Sequence, residues 1–242
     1  MDGTPAPGRF AVLDLDGTLH PGTLGLKLLA ALADHGICDS EQASRLADFL
    51  GSLPPHQLHT GAASQRAYQL YAQAVAGARP EAVHHVATQV WKRERAGLFA
   101  FVRPALTLLR NRSYTVVLLS GSPQEIVRAA VTDLGITVCQ GAEFETDGTV
   151  YNGRIGAAPG MPGAKATILH SVLHAAWSPA DSIAIGNSAA DIEVLAQVGH
   201  PIAFEPQPPL RQAAALHGWR VTDRDSLLPV LLADTETHGD ST

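Results

Sequence analysis

The sequence predicts an α/β protein, a doubly wound and mostly parallel sheet with an all-helical segment inserted after its first strand. Three observations carry this. Arg9–Gly17 (RFAVLDLDG) is an apolar run that stops at glycine, as a strand buried on both faces does. Beyond Pro104, short β-branched runs alternate with helix-period segments, the pattern of parallel strands joined by crossover helices. Between these two regions lies a long stretch without strand character.

That stretch, Leu24 to Phe101, is rich in Ala, Leu, Gln and His, with helical spacings at Leu28, Leu29, Leu32 and at Tyr68, Tyr71, Val75. It breaks at Leu53-Pro54-Pro55 and at Gly77–Pro80, so roughly three to five helices are expected. Downstream, Ala105–Arg112 reads as helix, Tyr114–Leu119 as strand, Pro123–Leu134 as helix and Ile136–Cys139 as a short strand. Glu143–Ile155 contains Asp147-Gly148, a hairpin signal. Gly163–Ala176 is expected as helix, Ser182–Gly186 as strand, Asp191–Val198 as helix, Pro201–Phe204 as strand and Leu210–His217 as helix. Residues 233–242 are polar and expected to be disordered. The expected organisation is an α/β core over 9–20 and 99–232, with a helical cap over 21–98.

The chain has 242 residues, 45% of them hydrophobic and 17% charged, a composition that buries a substantial core. A formal charge of −6 argues against a broad nucleic-acid surface. Cys38 and Cys139 form no metal-binding spacing and are expected to be ordinary thiols in a reducing compartment. The N-terminus lacks a basic region followed by an apolar stretch, and no apolar run approaches the ~20 residues of a membrane span. The expectation is a cytoplasmic protein without nucleic-acid or membrane partners.

In an open α/β sheet, ligands bind beyond the carboxyl ends of the strands, and four such positions carry functional groups. Asp14 and Asp16, two apart at a strand end, point to the same side. Close like charges drive their pKa values apart, which suits one carboxylate as nucleophile and the other as proton donor. Ser120 sits at the tip of the next strand, where it can donate to an anion beside helix N–H groups. Ser122-Pro123-Gln124-Glu125 reads as a helix start, with Ser122 as N-cap. Lys165 opens a helix, where a cation opposes the macrodipole unless an anionic site compensates. Gly186-Asn187-Ser188-Ala189-Ala190-Asp191 follows another strand, and its Ser188–Asp191 spacing also fits a helix start.

Together, DLDGTL at Asp14–Leu19, the strand ending in SGS at Ser120, Gly163-Ala164-Lys165 and GNSAADIEVL at Gly186–Leu195 resemble the haloacid dehalogenase superfamily of phosphohydrolases, in its phosphoserine-phosphatase-like branch. The resemblance runs from about Phe10 to Val221. It implies a Rossmann-like core with a helical cap between the first two motifs, and hydrolysis of a small phosphate monoester. Asp14 would form an aspartyl-phosphate, and Asp16 would protonate the leaving alcohol and then activate water. Ser120, Gly121 and Lys165 would hold the phosphoryl group. Mg²⁺ would be held by Asp14, the Asp16 carbonyl and the fourth motif, Asn187 and Asp191. One departure stands out: the fourth motif usually begins Gly-Asp, and here it is Gly186-Asn187, which brings no charge to the metal. A phosphotransferase or phosphomutase using the same intermediate, or a catalytically weak phosphate-ester binding protein, shares the same residues. Specificity would reside in the cap, whose polar candidates are Arg45, His56, His59, Arg66, Lys92, Arg93 and Arg95; the substrate and the oligomeric state stay open.

Overall fold

The computed structural model describes residues 8–54, 57, 60–172 and 177–236. Its centre is β1 (Arg9–Leu13), flanked by β2 (Tyr114–Pro123) and β6 (Ile183–Gly186). With β3 (Val138–Ala142), β7 (His200–Phe204) and β8 (Arg220–Thr222) these make a six-stranded sheet, order β3-β2-β1-β6-β7-β8, with every neighbouring pair parallel. The chain winds outward to one side of β1 and then to the other, so the order reverses between β1 and β6 and a crevice opens there at the carboxyl ends.

Side-chain alternation along β1 feeds two apolar layers. Ala11 and Leu13 join a cluster with residues of α1 (Leu24–Asp34), α4 (Pro80–Glu94), α5 (Val102–Asn111), α6 (Gln124–Leu134) and α10 (Leu227–Glu236). Phe10 and Val12 point the other way, onto α7 (Ala164–Val172), α8 (Ile192–Leu195) and α9 (Pro208–His217). Burial on both faces explains why the strand reads as a continuous apolar run.

Between β1 and β2 the described residues form α1, α2 (Ser40–Ser52), α3 (Gly61–Val75), α4 and a 3₁₀ turn at Arg95–Gly97, with no named strand among them. Asp39 caps α2 by accepting from the N–H groups of Glu41 and Gln42, and Thr60 caps α3 by accepting from Ala63. The hairpin of β4 (Phe144–Thr146) and β5 (Tyr151–Ile155) stands apart from the main sheet and bonds to the end of α3: Gly77 N–H donates to Tyr151 O, and Tyr151 N–H to Ala78 O.

The structure departs from the sequence expectation at several elements. α5 starts at Val102 rather than Ala105, because Pro104 in its first turn has no N–H to waste. β2 continues through Ser120-Gly121-Ser122-Pro123, so Ser122 is strand rather than helix cap, and Pro123 rather than Ser122 precedes α6. The Asp191–Val198 helix contracts to a 3₁₀ turn at Ala189–Asp191 followed by α8. β8 and α10 were not anticipated. α10 extends to Glu236, with Leu227 and Leu231 fully buried and Asp234 paired with Arg220, so residues 233–236 are helix rather than disordered tail. Residues 173–176, the expected end of α7, and 237–242 lie outside the described residues. Among the described residues, no helix is long and apolar enough to cross a membrane.

Candidate active site

Asp14, Asp16, Gly121, Lys165 and Asn187 all line one cleft of about 570 Å³ at the carboxyl ends of β1, β2 and β6. Ser120 and Asp191 are buried just outside that lining, at 0% and 3% exposure.

A buried ion cluster lies at the centre. The Lys165 ammonium donates to Asp14 Oδ1 and to Asp191 Oδ1, each at 2.6 Å. Two carboxylates share one cation, so the cluster is one negative charge in excess in a setting that penalises charge. Burial, reinforced by Asp191 and opposed by Lys165, pushes the Asp14 carboxyl up to about 7. The two carboxylates outweigh burial at Lys165 and hold its pKa above the ordinary lysine value, so it stays an ammonium. Thr18 Oγ1 donates to Asp14 Oδ2 at 3.0 Å and fixes the carboxylate's remaining oxygen. The expected compensation for a lysine at a helix start is therefore a pair of acids.

Both oxygens of Asp191 are hydrogen-bonded. Its Oδ1 takes Lys165, while Oδ2 accepts from Asn187 N–H, Ser188 N–H and Ser188 Oγ at 3.1, 2.9 and 2.8 Å. It orients Lys165 and pins the Gly186–Ser188 turn, each of its oxygens accepting at least one hydrogen bond. Gly186 is required here, since a Cβ on it would stand 2.3 Å from Asp191 Cγ.

Asp16 is held by other partners. Its Oδ1 accepts from Leu24 N–H at 2.8 Å, supplying the N-terminal cap that Thr23 does not give α1, and its Oδ2 accepts from Ser122 Oγ at 2.5 Å. Burial raises its pKa, with those two hydrogen bonds opposing. Ser122 Oγ also accepts from Gly25 N–H at 2.8 Å. Sequence reasoning explained Ser122 as a cap, and the structure reverses this: Ser122 positions Asp16. Ser120 Oγ accepts from Ser122 N–H at 3.1 Å, beneath the cleft surface.

Asn187 is the residue whose chemistry is left open. It is 8% exposed, and its Oδ1 has no hydrogen-bond partner. Gly17, at φ +80°, makes room for it, since a Cβ there would lie 2.0 Å from Asn187 Nδ2. An orphaned buried carbonyl oxygen beside a carboxylate cluster with excess negative charge fits a hard divalent cation, which takes oxygen ligands.

Two further residues escaped sequence reasoning. Thr18 carried a signal, lying four residues past Asp14 in the motif. Tyr68 carried none beyond helical periodicity, yet its hydroxyl donates to Gly121 O at 3.0 Å and accepts from Gly160 N–H at 2.8 Å. Burial pushes its phenol up to about 12, so it remains a donor. Conversely, none of Arg45, Arg66, Lys92, Arg93 and Arg95 lines the cleft, and all five are exposed. Arg45 pairs with Glu41 and Arg95 with Asp133. His56 and His59 lie outside the described residues.

Comparisons with known proteins bear on the fold and the family. A phosphoserine phosphatase of Streptomyces coelicolor (strain ATCC BAA-471 / A3(2) / M145) is 28% identical over 209 residues, which cover 85% of this chain and 46% of that protein. The chain thus spans about half the length of that curated relative. A Bordetella pertussis Tohama I protein of unknown function superposes with a TM-score of 0.75 at 22% identity, over 90% of this chain and 100% of that one. A phospho-aspartyl intermediate analogue of phosphoserine phosphatase superposes with a TM-score of 0.67 at 17% identity, over 93% and 98% of the two chains. At these identities the two structures speak to the fold. Residues 11–196 match the family model described as haloacid dehalogenase-like hydrolase, and the chain belongs to that family.

Proposed function

We propose that the protein is a Mg²⁺-dependent phosphohydrolase that cleaves a phosphate monoester through an aspartyl-phosphate on Asp14. The observation that carries this reading is a pair of carboxylates with different partners: Asp14, buried, against Lys165 and Thr18, and Asp16, half-buried, against Ser122 and Leu24 N–H. A carboxylate beside a cation is equipped to attack phosphorus, and a carboxyl held by neutral donors is equipped to carry a proton.

In the first step an Asp14 oxygen bonds to phosphorus as the ester P–O bond breaks, and Asp16 gives its proton to the departing alkoxide. In the second, Asp16 takes a proton from water as the water oxygen bonds to phosphorus and the bond from Asp14 oxygen to phosphorus breaks, releasing inorganic phosphate and regenerating the Asp14 carboxylate and the protonated Asp16. Lys165 and the Gly121 N–H hold phosphoryl oxygens, and the hydroxyl of Ser120 supports that turn from below. Asp14, the Asp16 carbonyl and Asn187 Oδ1 would hold Mg²⁺, which neutralises charge on the phosphoryl oxygens when bound. Asp191 keeps Lys165 in place. Residues 21–98 act as the cap over this site, closing it to water.

Asp16→Asn tests the acid–base assignment. The amide keeps an acceptor for Leu24 N–H but carries no transferable proton. Alkyl phosphates, whose leaving groups need protonation, should slow by about 10²–10⁴-fold, and aryl phosphates by much less. Equal losses on both substrate types would remove Asp16 from proton transfer.

Asn187→Asp tests the metal site. A carboxylate at Asn187 should lower the Mg²⁺ concentration for half-maximal turnover, and the calorimetric Mg²⁺ dissociation constant, by about fivefold, equivalent to ~1 kcal/mol. Titrations that superimpose on wild type would place the side chain away from the metal.

A further inference from the structure

The cleft has two unlike halves. The reaction centre is polar and charged, whereas the opposing wall is apolar: Leu26 from α1, Leu46 and Leu50 from α2, Ala67 and Tyr71 from α3, and Phe144 from β4. We propose that the ester handled here has an apolar organic group, a medium-length alkyl or isoprenyl chain, and carries no charge apart from its phosphate. This specificity rests on the reading of the site as a phosphohydrolase centre.

The wall is a continuous built surface. Leu46 and Leu50 are four apart on α2, and Ala67 and Tyr71 are four apart on α3, so each pair lies along one helix face. Tyr71 stacks on Phe144 with ring centroids 5.0 Å apart and planes within 8°, joining the helical wall to the hairpin. Leu26 is 37% exposed, one of few large apolar side chains in the described structure left so open. An open leucine beside a reaction centre is ready to be covered by substrate.

Charge gives the complementary argument. Among the described residues lining the cleft, Lys165 is the sole cation and Asp14 and Asp16 are the sole carboxylates. All three are engaged with one another or with neighbouring groups at the reaction centre. The helical wall's polar groups are Thr23, Ser64 and the hydroxyls of Tyr68 and Tyr71. The Tyr68 hydroxyl already bonds Gly121 and Gly160, and that of Tyr71 is shut away from solvent. A zwitterionic ester such as O-phosphoserine would bring an ammonium and a carboxylate into this half of the cleft and leave both without counter-charges among the described lining residues, a costly desolvation. An alkyl chain loses nothing by entering. Each methylene covered by the wall strengthens binding by about two- to fourfold, and a cleft of about 570 Å³ falls within the ~300–1,000 Å³ range of sites that enclose whole small ligands.

The test uses the full chain with Mg²⁺ and a series of n-alkyl phosphates from ethyl to octyl, kept below micellar concentrations, beside O-phosphoserine. Binding of the same series to the Asp14→Asn protein is measured by calorimetry. Both kcat/KM and affinity should rise by at least about a hundredfold from ethyl to octyl phosphate, with O-phosphoserine no better than ethyl phosphate. Leu26→Asp and Leu50→Asp, both at positions that are not fully buried, should each bring the octyl-to-ethyl ratio down by tenfold or so, with folding checked by circular dichroism. A flat chain-length series, or a preference for O-phosphoserine, overturns the inference while leaving the hydrolase reading intact. Failure to turn over any ester overturns the hydrolase reading, and the chain-length dependence of binding to Asp14→Asn then decides the inference on its own.

Discussion

Asp14→Asn is expected to reduce turnover by at least about 10⁴-fold, the scale on which removal of a catalytic nucleophile is felt. Asparagine matches the shape of aspartate; its oxygen can still accept from Lys165 while its N–H turns to donate to the Thr18 hydroxyl, but the amide does not attack phosphorus. The fold should persist. The wild-type cluster holds one negative charge in excess, and the substitution leaves Lys165 with Asp191 as a balanced pair. The thermal midpoint of the metal-free variant should therefore equal or exceed that of wild type. Steady-state assays on an aryl phosphate with saturating Mg²⁺ check the first expectation and calorimetric unfolding the second. Retention of more than about a tenth of wild-type kcat/KM would remove Asp14 from the mechanism.

Lys165→Met should produce the largest combined loss. The ammonium is 3% exposed and bonds both Asp14 and Asp191, so its removal leaves two buried carboxylates facing each other without a cation. Breaking a buried pair from one side costs about 3–5 kcal/mol, and activity should fall by at least 10³-fold or so for want of the phosphoryl-binding charge. The stability loss carries a definite pH dependence. In the folded protein burial already lifts Asp14 to about 7, against 3.8 for the ordinary group, and removing Lys165 lifts it further. Between those values the folded state binds a proton that the unfolded chain does not, so stability increases as pH falls. Urea unfolding of metal-free Lys165→Met should show a deficit that narrows from pH 8 to about pH 5. A deficit constant across that window would mean that the two acids do not sense Lys165.

The parts of the site legible in the sequence are those in which composition and chemistry disagree. Asp14 could be read because a carboxylate ends a run of apolar residues, and Lys165 because a cation opens a helix. Ser122 was misread because Ser-Pro-Gln-Glu satisfies a helix-start pattern; only the fold brings Asp16, 106 positions earlier, within 2.5 Å of its hydroxyl. Tyr68 was invisible for a similar reason, since periodicity already accounted for it and its partners at Gly121 and Gly160 lie far along the chain. α10 was left unassigned; it carries Pro229 in its first turn, where a proline is tolerated. The doubly wound core itself was legible, because strands buried on both faces carry a strong local signal.

The position of β1 has a consequence for how the chain reaches this structure. The strand is translated before the other strands of its sheet, yet it is hydrogen-bonded to Tyr114–Leu118 on one side and Ile183–Ile185 on the other. Its apolar residues must therefore wait for partners more than a hundred positions away, while the intervening helices emerge and close their local contacts. Loop-closure entropy is spent before any of those strand pairings can offset it, so slow folding is the expected regime. During that interval Arg9–Leu13 is an unpaired apolar strand, the segment of the nascent chain most exposed to mispairing and to capture by chaperones.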